Sequence, residues 1–237
     1  MNISKLLSSF KDASKKHGFR YVVKRSVFVW FSFIYYKFFR YGKTFNFRGK
    51  KYRYNYSMYN TTWMNERSVE IPLALNMLKK NNGKNILEIG NVTSNYCNIP
   101  HIVVDKYEKG SNIINQDVVD FDSKTKFDLI ISISTLEHVG WDEIPRDDKK
   151  ILLAIENLKK LLKPKIGLLF VTVPHGYNTV LDQIMKEEKI KFNEKYYLRR
   201  VSRNNEWVES SWEEVQNTKF GIPFSGANGL IVGIINN

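Results

Sequence analysis

The 237-residue sequence is short of cysteine, histidine, proline and long apolar runs, and each scarcity removes a class of protein. Cys97 is the only cysteine, so no disulfide can close within the chain and no Cys/His zinc cluster can be assembled. A reducing, cytoplasmic setting and the absence of a metal site are the resulting expectations. The longest uncharged stretch of the aromatic N-terminal segment, Ser26 to Tyr36, is eleven residues, well below the ~20 that a spanning helix needs. A secretory leader is not expected, because the charged lead is long and no small-residue cleavage site follows. A full GxGxxG turn is missing, which argues against a nicotinamide dehydrogenase. No internal repeat or low-complexity linker is present.

What remains is ordinary for a globular chain, with 43% hydrophobic and 26% charged residues, enough length for one substantial core and an extension. The net charge of +13 is unevenly placed. Residues 1–67 hold 15 Lys and Arg against only Asp12 and Glu66, while the basic and acidic residues of 68–237 cancel. This pattern describes a basic arm for an anionic surface, joined to a neutral body.

Residues 3–16 read as a short helix with Leu6, Leu7 and Phe10 on one side, broken at Gly18. Residues 20–40 are dense in aromatics and bounded by basic residues. Three readings stay open for them. They lie in a membrane interface, they pack on the body or on a second copy in a homodimer, or they belong to a nucleic-acid surface. The last is disfavoured, since no RNA-binding motif accompanies the charge. Thr44 to Ser57 alternates aromatic and polar residues around Arg48-Gly49-Lys50, the pattern of a hairpin with one aromatic face. A cover for the core is favoured over a platform for stacking sugars or bases. Asn60 or Thr61 is expected to cap a helix through Trp63, Glu66 and Arg67. Pro72 then starts or kinks the next helix, which Asn81-Asn82-Gly83 ends. The expected division is an extension over 1–58 and a body over 59–237.

Asn85 to His138 is the most informative stretch. Its β-branched runs, ending at Glu88-Ile-Gly90, Asp105 and Ser134, suit strands buried on both faces of a parallel sheet. Ligands bind beyond the carboxyl ends of such strands, and an acidic-x-Gly turn followed by an acidic residue on the next strand describes a nucleoside-bearing cofactor site. Only about ten residues separate the first two strands, so any helix between them has one or two turns. A third strand over 112–115 precedes Asp117. Further elements are a strand over 127–134, an amphipathic helix over 147–162, a strand over 166–173, a helix over 180–188, and strands over 196–201, 206–208 and 229–235, with a short helix over 212–216.

On these residues the chain resembles class I S-adenosylmethionine-dependent methyltransferases over roughly residues 70–237. The carrying motifs are Leu87-Glu88-Ile89-Gly90, VVDKYE at Asp105, NQDVVDF at Asp117, the FDLIxSxSxLEHV stretch, and LLKP before IGLLFVTVP. The order of further motifs is similar to methyltransferase-like proteins often associated with surface-polysaccharide synthesis. The resemblance implies an α/β, Rossmann-like, mostly parallel sheet flanked by helices, with the last strand antiparallel. It also implies S-adenosyl-L-methionine as cofactor. Glu88, Gly90 and Asn91 would stand at its methionine end, Asp105 at the ribose, Asp117 and Val118 at the adenine, and Ser134 at the fourth-strand edge. One departure stands out: the second and fourth positions after Gly90, often glycine, are Val92 and Ser94, and Val92 narrows the approach to the backbone.

Methyl transfer from a sulfonium needs alignment and, for a hydroxyl acceptor, a base. Of four histidines, His17 is expected to be solvated and His101 structural, while His138 and His175 follow strands at the ligand edge. Both are candidate bases, with His175 slightly preferred. Trp141-Asp142-Glu143, Tyr177-Asn178 and Arg199-Arg200 are acceptor-side candidates, and Tyr59, Trp63 and Arg67 form a candidate lid. The expected activity is O-methylation of a glycan, glycolipid or other small molecule by a protein at the inner membrane face. RNA methylation and a non-catalytic scaffold are the alternatives.

Overall fold

The protein was analysed as a computed structural model that describes Lys15 and residues 18–237. The helix expected over 3–16 lies outside them apart from Lys15, and so does His17. The body is an eight-stranded sheet in the order β5-β4-β3-β6-β7-β10-β8-β9. The strands are β3 (Ile86–Ile89), β4 (Ile102–Asp105), β5 (Ile113–Asn115), β6 (Leu129–Ile133), β7 (Leu168–Pro174), β8 (Glu194–Arg200), β9 (Trp207–Ser210) and β10 (Gly229–Asn236). Strands β3 to β7 run parallel, and β10 inserts antiparallel between β7 and β8. The strand order reverses between β3 and β6, which opens a crevice at their carboxyl ends.

Both faces of the sheet are buried, and the period-2 geometry of a strand divides each run between them. Leu129, Ile131 and Ile133 of β6 face one core, while Ile130 faces the other. The second face is covered by α3 (Lys150–Leu161), which buries Ile151, Ala154, Ile155, Leu158 and Leu161, and by α4 (Thr179–Lys186). The first face lies under α2 (Arg67–Lys80) and an antiparallel hairpin of β1 (Thr44–Phe47) and β2 (Lys50–Arg53). Full burial of each such aliphatic side chain contributes roughly 1.5–3 kcal/mol.

The hairpin turn places Arg48 at φ 53° and Gly49 at φ 70°, the left-handed pair that a two-residue turn needs to match strand twist. Phe45, Phe47, Tyr54 and Tyr56 are buried in the first core, so this segment is a cover and not an open stacking platform. Pro72 does not start α2 but sits inside it. Lacking an N–H, it leaves the Ser68 carbonyl free, and the Asn55 N–H donates to that oxygen at 2.9 Å. A helix defect thereby becomes the attachment point of the incoming extension.

The expected helix through Trp63, Glu66 and Arg67 is interrupted. Tyr59–Met64 forms a 3-10 stretch with Asn60 at φ 53° and Thr61 at φ 44°, and α2 begins only at Arg67. Residues 20–40 are one continuous helix, α1 (Phe19–Phe39), whose only buried members are Val22 and Tyr36. Its second half is tied to the body: Trp63 Nε1 donates to Ser32 Oγ at 2.9 Å, and Arg40 pairs with Glu206 at 2.6 Å. Phe28, Trp30, Phe31, Phe38 and Phe39 are exposed. No helix among the described residues is long and apolar enough to cross a membrane.

Candidate active site

The crevice at the reversal point is a cavity of about 470 Å³, within the ~300–1,000 Å³ range of small-molecule sites. Its walls come from the turns after β3, β4, β5 and β6, closed by Tyr59, Asn60 and Arg67 from the segment that precedes the sheet. The structure brings Gly90, Asn91, Asp105, Asp117, Val118, Ser134 and His138 together there. Glu88 and His175 do not line it.

Gly90 has φ +81°, and a Cβ on it would stand 2.2 Å from Thr135 Oγ1. Backbone conformation and close packing both require glycine at this position. Glu88, beneath it, is fully buried and turned away from the cavity. Its carboxylate accepts from the N–H groups of Val92 (3.0 Å) and Thr93 (2.7 Å) and from the Thr93 hydroxyl, and contacts His101 Nε2 at 2.9 Å. The acidic-x-Gly carboxylate therefore holds the turn in shape, and His101 is part of that support. The peptide of Val92 is drawn down by Glu88, and its side chain packs partly on the first core while still lining the cavity.

Asp105 closes β4 with both oxygens fixed: Oδ1 accepts from the N–H groups of Tyr107 (2.8 Å) and Glu108 (2.7 Å), and Oδ2 from that of Asn91 (3.1 Å). Asp117 is engaged differently. Its Oδ2 meets Lys150 at 2.5 Å and Lys106 at 2.9 Å, and both lysines also meet Glu143 at 2.5 Å. Burial alone would raise the Asp117 carboxyl, but the Lys150 and Lys106 ammoniums outweigh it and hold it below the usual range. Val118 supplies an apolar wall beside this network.

At the opposite end, Arg67 lies under the cavity floor. Its Nη1 donates to the Ile133 carbonyl at 2.8 Å and pairs with Glu70 at 3.2 Å, and Nη2 donates to the Ser134 carbonyl at 3.3 Å. Glu70 accepts from the Ser134 hydroxyl (2.5 Å) and the Thr172 hydroxyl (2.6 Å). This lock holds Ser134 at φ 39°, a conformation that costs a non-glycine residue on the order of 1–3 kcal/mol and is typical of functional sites. Tyr96 lines the cavity with a buried hydroxyl that has no partner among the described residues; burial pushes this phenol up to about 12.

At the mouth, His138 Nδ1 lies 2.5 Å from Asp142 Oδ2, which also accepts from the Tyr177 hydroxyl at 2.7 Å. The His138 and Tyr177 rings meet edge to face, with centroids 4.8 Å apart. Burial would raise Asp142, yet the hydrogen bond from His138 lowers it below the ordinary carboxylate range. An ionised Asp142 only accepts, so His138 Nδ1 is the donor in this contact, and His138 Nε2 lies 3.7 Å from Glu137 Oε1. His175 is 7% exposed, with Nδ1 3.2 Å from the Thr218 carbonyl and its ring against Trp212. Asn178 is likewise structural, capping α4 through Val180 and Leu181. Arg200 and Trp63 sit at another cavity, while Asp142, Glu143, Tyr59 and Arg67 do line this one. Sequence reasoning missed Tyr96, Thr135 and the buried Glu70; for Glu70 the i,i+3 spacing from Arg67 on α2 was the available signal.

The sheet order, with its last strand β10 antiparallel between β7 and β8, defines a Rossmann-like sheet of the class I methyltransferase type. No family model matches the chain, and no curated protein matches it. Among solved structures the chain is similar to the N-methyltransferase NodS from Bradyrhizobium japonicum in complex with S-adenosyl-L-homocysteine, at 15% identity and a TM-score of 0.46, covering 72% of this chain and 87% of that one. It is also similar to the 1,6-didemethyltoxoflavin-N1-methyltransferase of Burkholderia thailandensis, at 13% identity and a TM-score of 0.43, covering 71% and 79%. A third is the sugar N-methyltransferase KedS8 from a Streptoalloteichus species, at 10% identity and a TM-score of 0.38, covering 72% and 88%.

Proposed function

We propose that this protein is an S-adenosylmethionine-dependent methyltransferase acting on a hydroxyl of a glycan, glycolipid or other small molecule. The observation that carries the reading is the convergence, in one crevice at the strand-order reversal, of the Gly90 turn, the immobilised Asp105 and the His138–Asp142 pair.

The residues present fit the cofactor. Gly90 gives the close backbone approach, Asp105 offers carboxylate oxygen to ribose hydroxyls, Val118 offers an apolar wall to adenine, and Tyr96, whose hydroxyl has no partner among the described residues, lines the same cavity. Asp117 fits less simply, because an adenine amino group would compete with Lys106 and Lys150 for its oxygens. When bound, the cofactor supplies a methyl group on a sulfonium. The chain's own part is to orient the acceptor hydroxyl and to take its proton. His138 Nε2 is the base, Asp142 holds the ring and stabilises the imidazolium, and the Tyr177 phenol fixes Asp142. Tyr59, Tyr96 and Tyr107 offer faces on which a sugar ring can stack.

The basic arm and exposed aromatics of α1 support placement at an anionic membrane face, since Trp and Phe favour the headgroup level and Lys and Arg meet lipid phosphate. Calorimetric titration with S-adenosylmethionine and with its demethylated product tests the cofactor reading. Micromolar binding that Asp105→Ala weakens about ten-fold or more is expected, as loss of charge-assisted hydrogen bonds requires. Absence of heat with either ligand from folded protein would end the catalytic reading.

A further inference from the structure

A second cavity, of about 420 Å³, lies between α1 and the body. Phe28 and Tyr35 of α1, Trp63 and Phe224 make its aromatic walls, and Arg200 and Arg203 bring charge to it. It stands on the far side of the Tyr59–Met64 stretch from the candidate active site, since Tyr59 and Asn60 line one cavity and Trp63 and Met64 the other.

Arg200 is 7% exposed. Its Nη1 donates to the carbonyls of Met64 and Ser225, both at 2.9 Å, its Nε to that of Ser202 at 3.3 Å, and its Nη2 to that of Arg203 at 3.5 Å. The guanidinium stacks over Phe224 at 4.8 Å. A guanidinium has five N–H groups, so one Nη2 hydrogen is left without an acceptor, and every acceptor present is neutral. Among the described residues no carboxylate forms an ion pair with Arg200 or with the exposed Arg203, whereas nearby Arg40 is neutralised by Glu206. Burial lowers the Arg200 pKa, with Glu66 the main opposing charge. A buried cation without an ion-pair partner is costly, and a planar fork with a spare donor matches a phosphate oxygen. The aromatic walls suit what a bare anion does not have, an apolar body. Phe28 and Tyr35 are at once cavity wall and part of the exposed side of α1, so a chain seated here continues onto that surface.

We infer that the cavity between α1 and the body binds the phosphate of an anionic lipid, with Arg200 and Arg203 on the phosphate and Phe28, Tyr35 and Trp63 along the acyl portion. The site is distinct from the methyl-transfer cavity and deepens the proposal that α1 meets a membrane, giving that contact a defined phosphate anchor.

The test uses full-length protein and soluble dihexanoyl phosphatidic acid, which requires no bilayer, alongside dihexanoyl phosphatidylcholine and inorganic phosphate. Saturable binding of the phosphatidic acid is expected, weakened about ten-fold by Arg203→Glu or Arg200→Gln and unchanged by Lys24→Glu, which lies on α1 outside the cavity. Arg203 is exposed, so its variant remains informative if Arg200→Gln fails to fold. Equal binding of the phosphatidylcholine, or equal affinity in both arginine variants, overturns the inference. Inorganic phosphate bound as tightly as the lipid also overturns it, by making the occupant free phosphate. Flotation with phosphatidylglycerol vesicles is run in parallel. Failure there with soluble lipid still bound removes the membrane reading and leaves the cavity site standing.

Discussion

Helices α1 and α3 are both rich in apolar side chains, yet they meet the rest of the molecule in opposite ways. Helix α3 places Ile151, Ala154, Ile155, Leu158 and Leu161 at helical spacing and buries all five against the sheet. Helix α1 is longer and more apolar, and it buries only Val22 and Tyr36. The difference lies in arrangement. Apolar residues confined to one stripe can be hidden by one packing contact, while aromatics distributed around the whole circumference cannot. The aromatics of α1 that its own body does not cover stay exposed, and α1 lies within residues 1–67, which together hold the chain's whole net excess of +13. Positive charge and exposed aromatics are thus concentrated in the arm, while the body is neutral.

The largest expected effect tests whether chemistry belongs to the body alone. His138→Ala is expected to lower kcat about 10²–10⁴-fold, as loss of a general base does, while Trp30→Ser with Phe31→Ser leaves kcat on a soluble acceptor within about two-fold. A comparable loss in the second variant would show that the arm takes part in turnover.

Trp63 sits where the two regions join, fully buried beside Phe33 with ring centroids 5.1 Å apart. Trp63→Ala should cost about 3–5 kcal/mol in urea denaturation; a loss under about 1 kcal/mol would mean that the arm is only loosely attached.

Smaller effects sharpen the electrostatics of the body. Glu137 is fully buried, its Oε2 has no partner among the described residues, and burial raises its pKa well above the ordinary range. A raised carboxyl pKa contributes stability below its unfolded value of about 4.3 and loses it as pH rises through the folded value. Glu137→Gln should therefore melt with the wild type near pH ~4 and increasingly above it toward neutrality. Asp117, held low by its lysines against the effect of burial, works in the opposite sense. Its contribution is complete above about pH 3.9 and disappears as pH falls through the depressed folded value, so Asp117→Asn should lower the melting temperature at neutral pH and converge with the wild type in acid. Melting curves across pH that fail to diverge in these two directions would remove both assignments.

The smallest expected effect is on the arm itself. Phe38→Ser and Phe39→Ser alter side chains that are 75% and 78% exposed, and should change stability by no more than about 0.5 kcal/mol. Their effect should appear only in vesicle partition.

Most of the body was legible in the sequence because its signals are local. Runs such as Leu129–Ile133 announce doubly buried strands, Gly49 announces the hairpin turn, and Asp105 at the end of β4 falls where a parallel sheet places its ligand contacts. The helix expected at Trp63 failed because Asn60 and Thr61 adopt left-handed backbone there, which propensity disfavours and only the surrounding packing can impose. Glu88 was recognisable as the carboxylate of the turn, but whether it faced the ligand or the turn depended on which side of β3 was available.

The two histidines mark the limit most sharply. His138 and His175 both follow strands at the same sheet edge, and chain position gives no reason to separate them. The fold separates them by enclosing His175 with Trp212 and Thr218 next to the inserted β10, while His138 opens on the crevice with Asp142 and Tyr177 beside it. Likewise, Pro72 marks a missing N–H in sequence, but only the approach of Asn55 makes the freed carbonyl a tether. Which segments become strands and helices, which faces are apolar and where charge accumulates can be read from the chain alone, because these follow from period and composition. Which polar groups meet was decided by tertiary structure, because contacts of Glu70 with Ser134 and Thr172, or of Arg200 with the carbonyls of Met64 and Ser225, join residues far apart in the chain whose encounter no local pattern records.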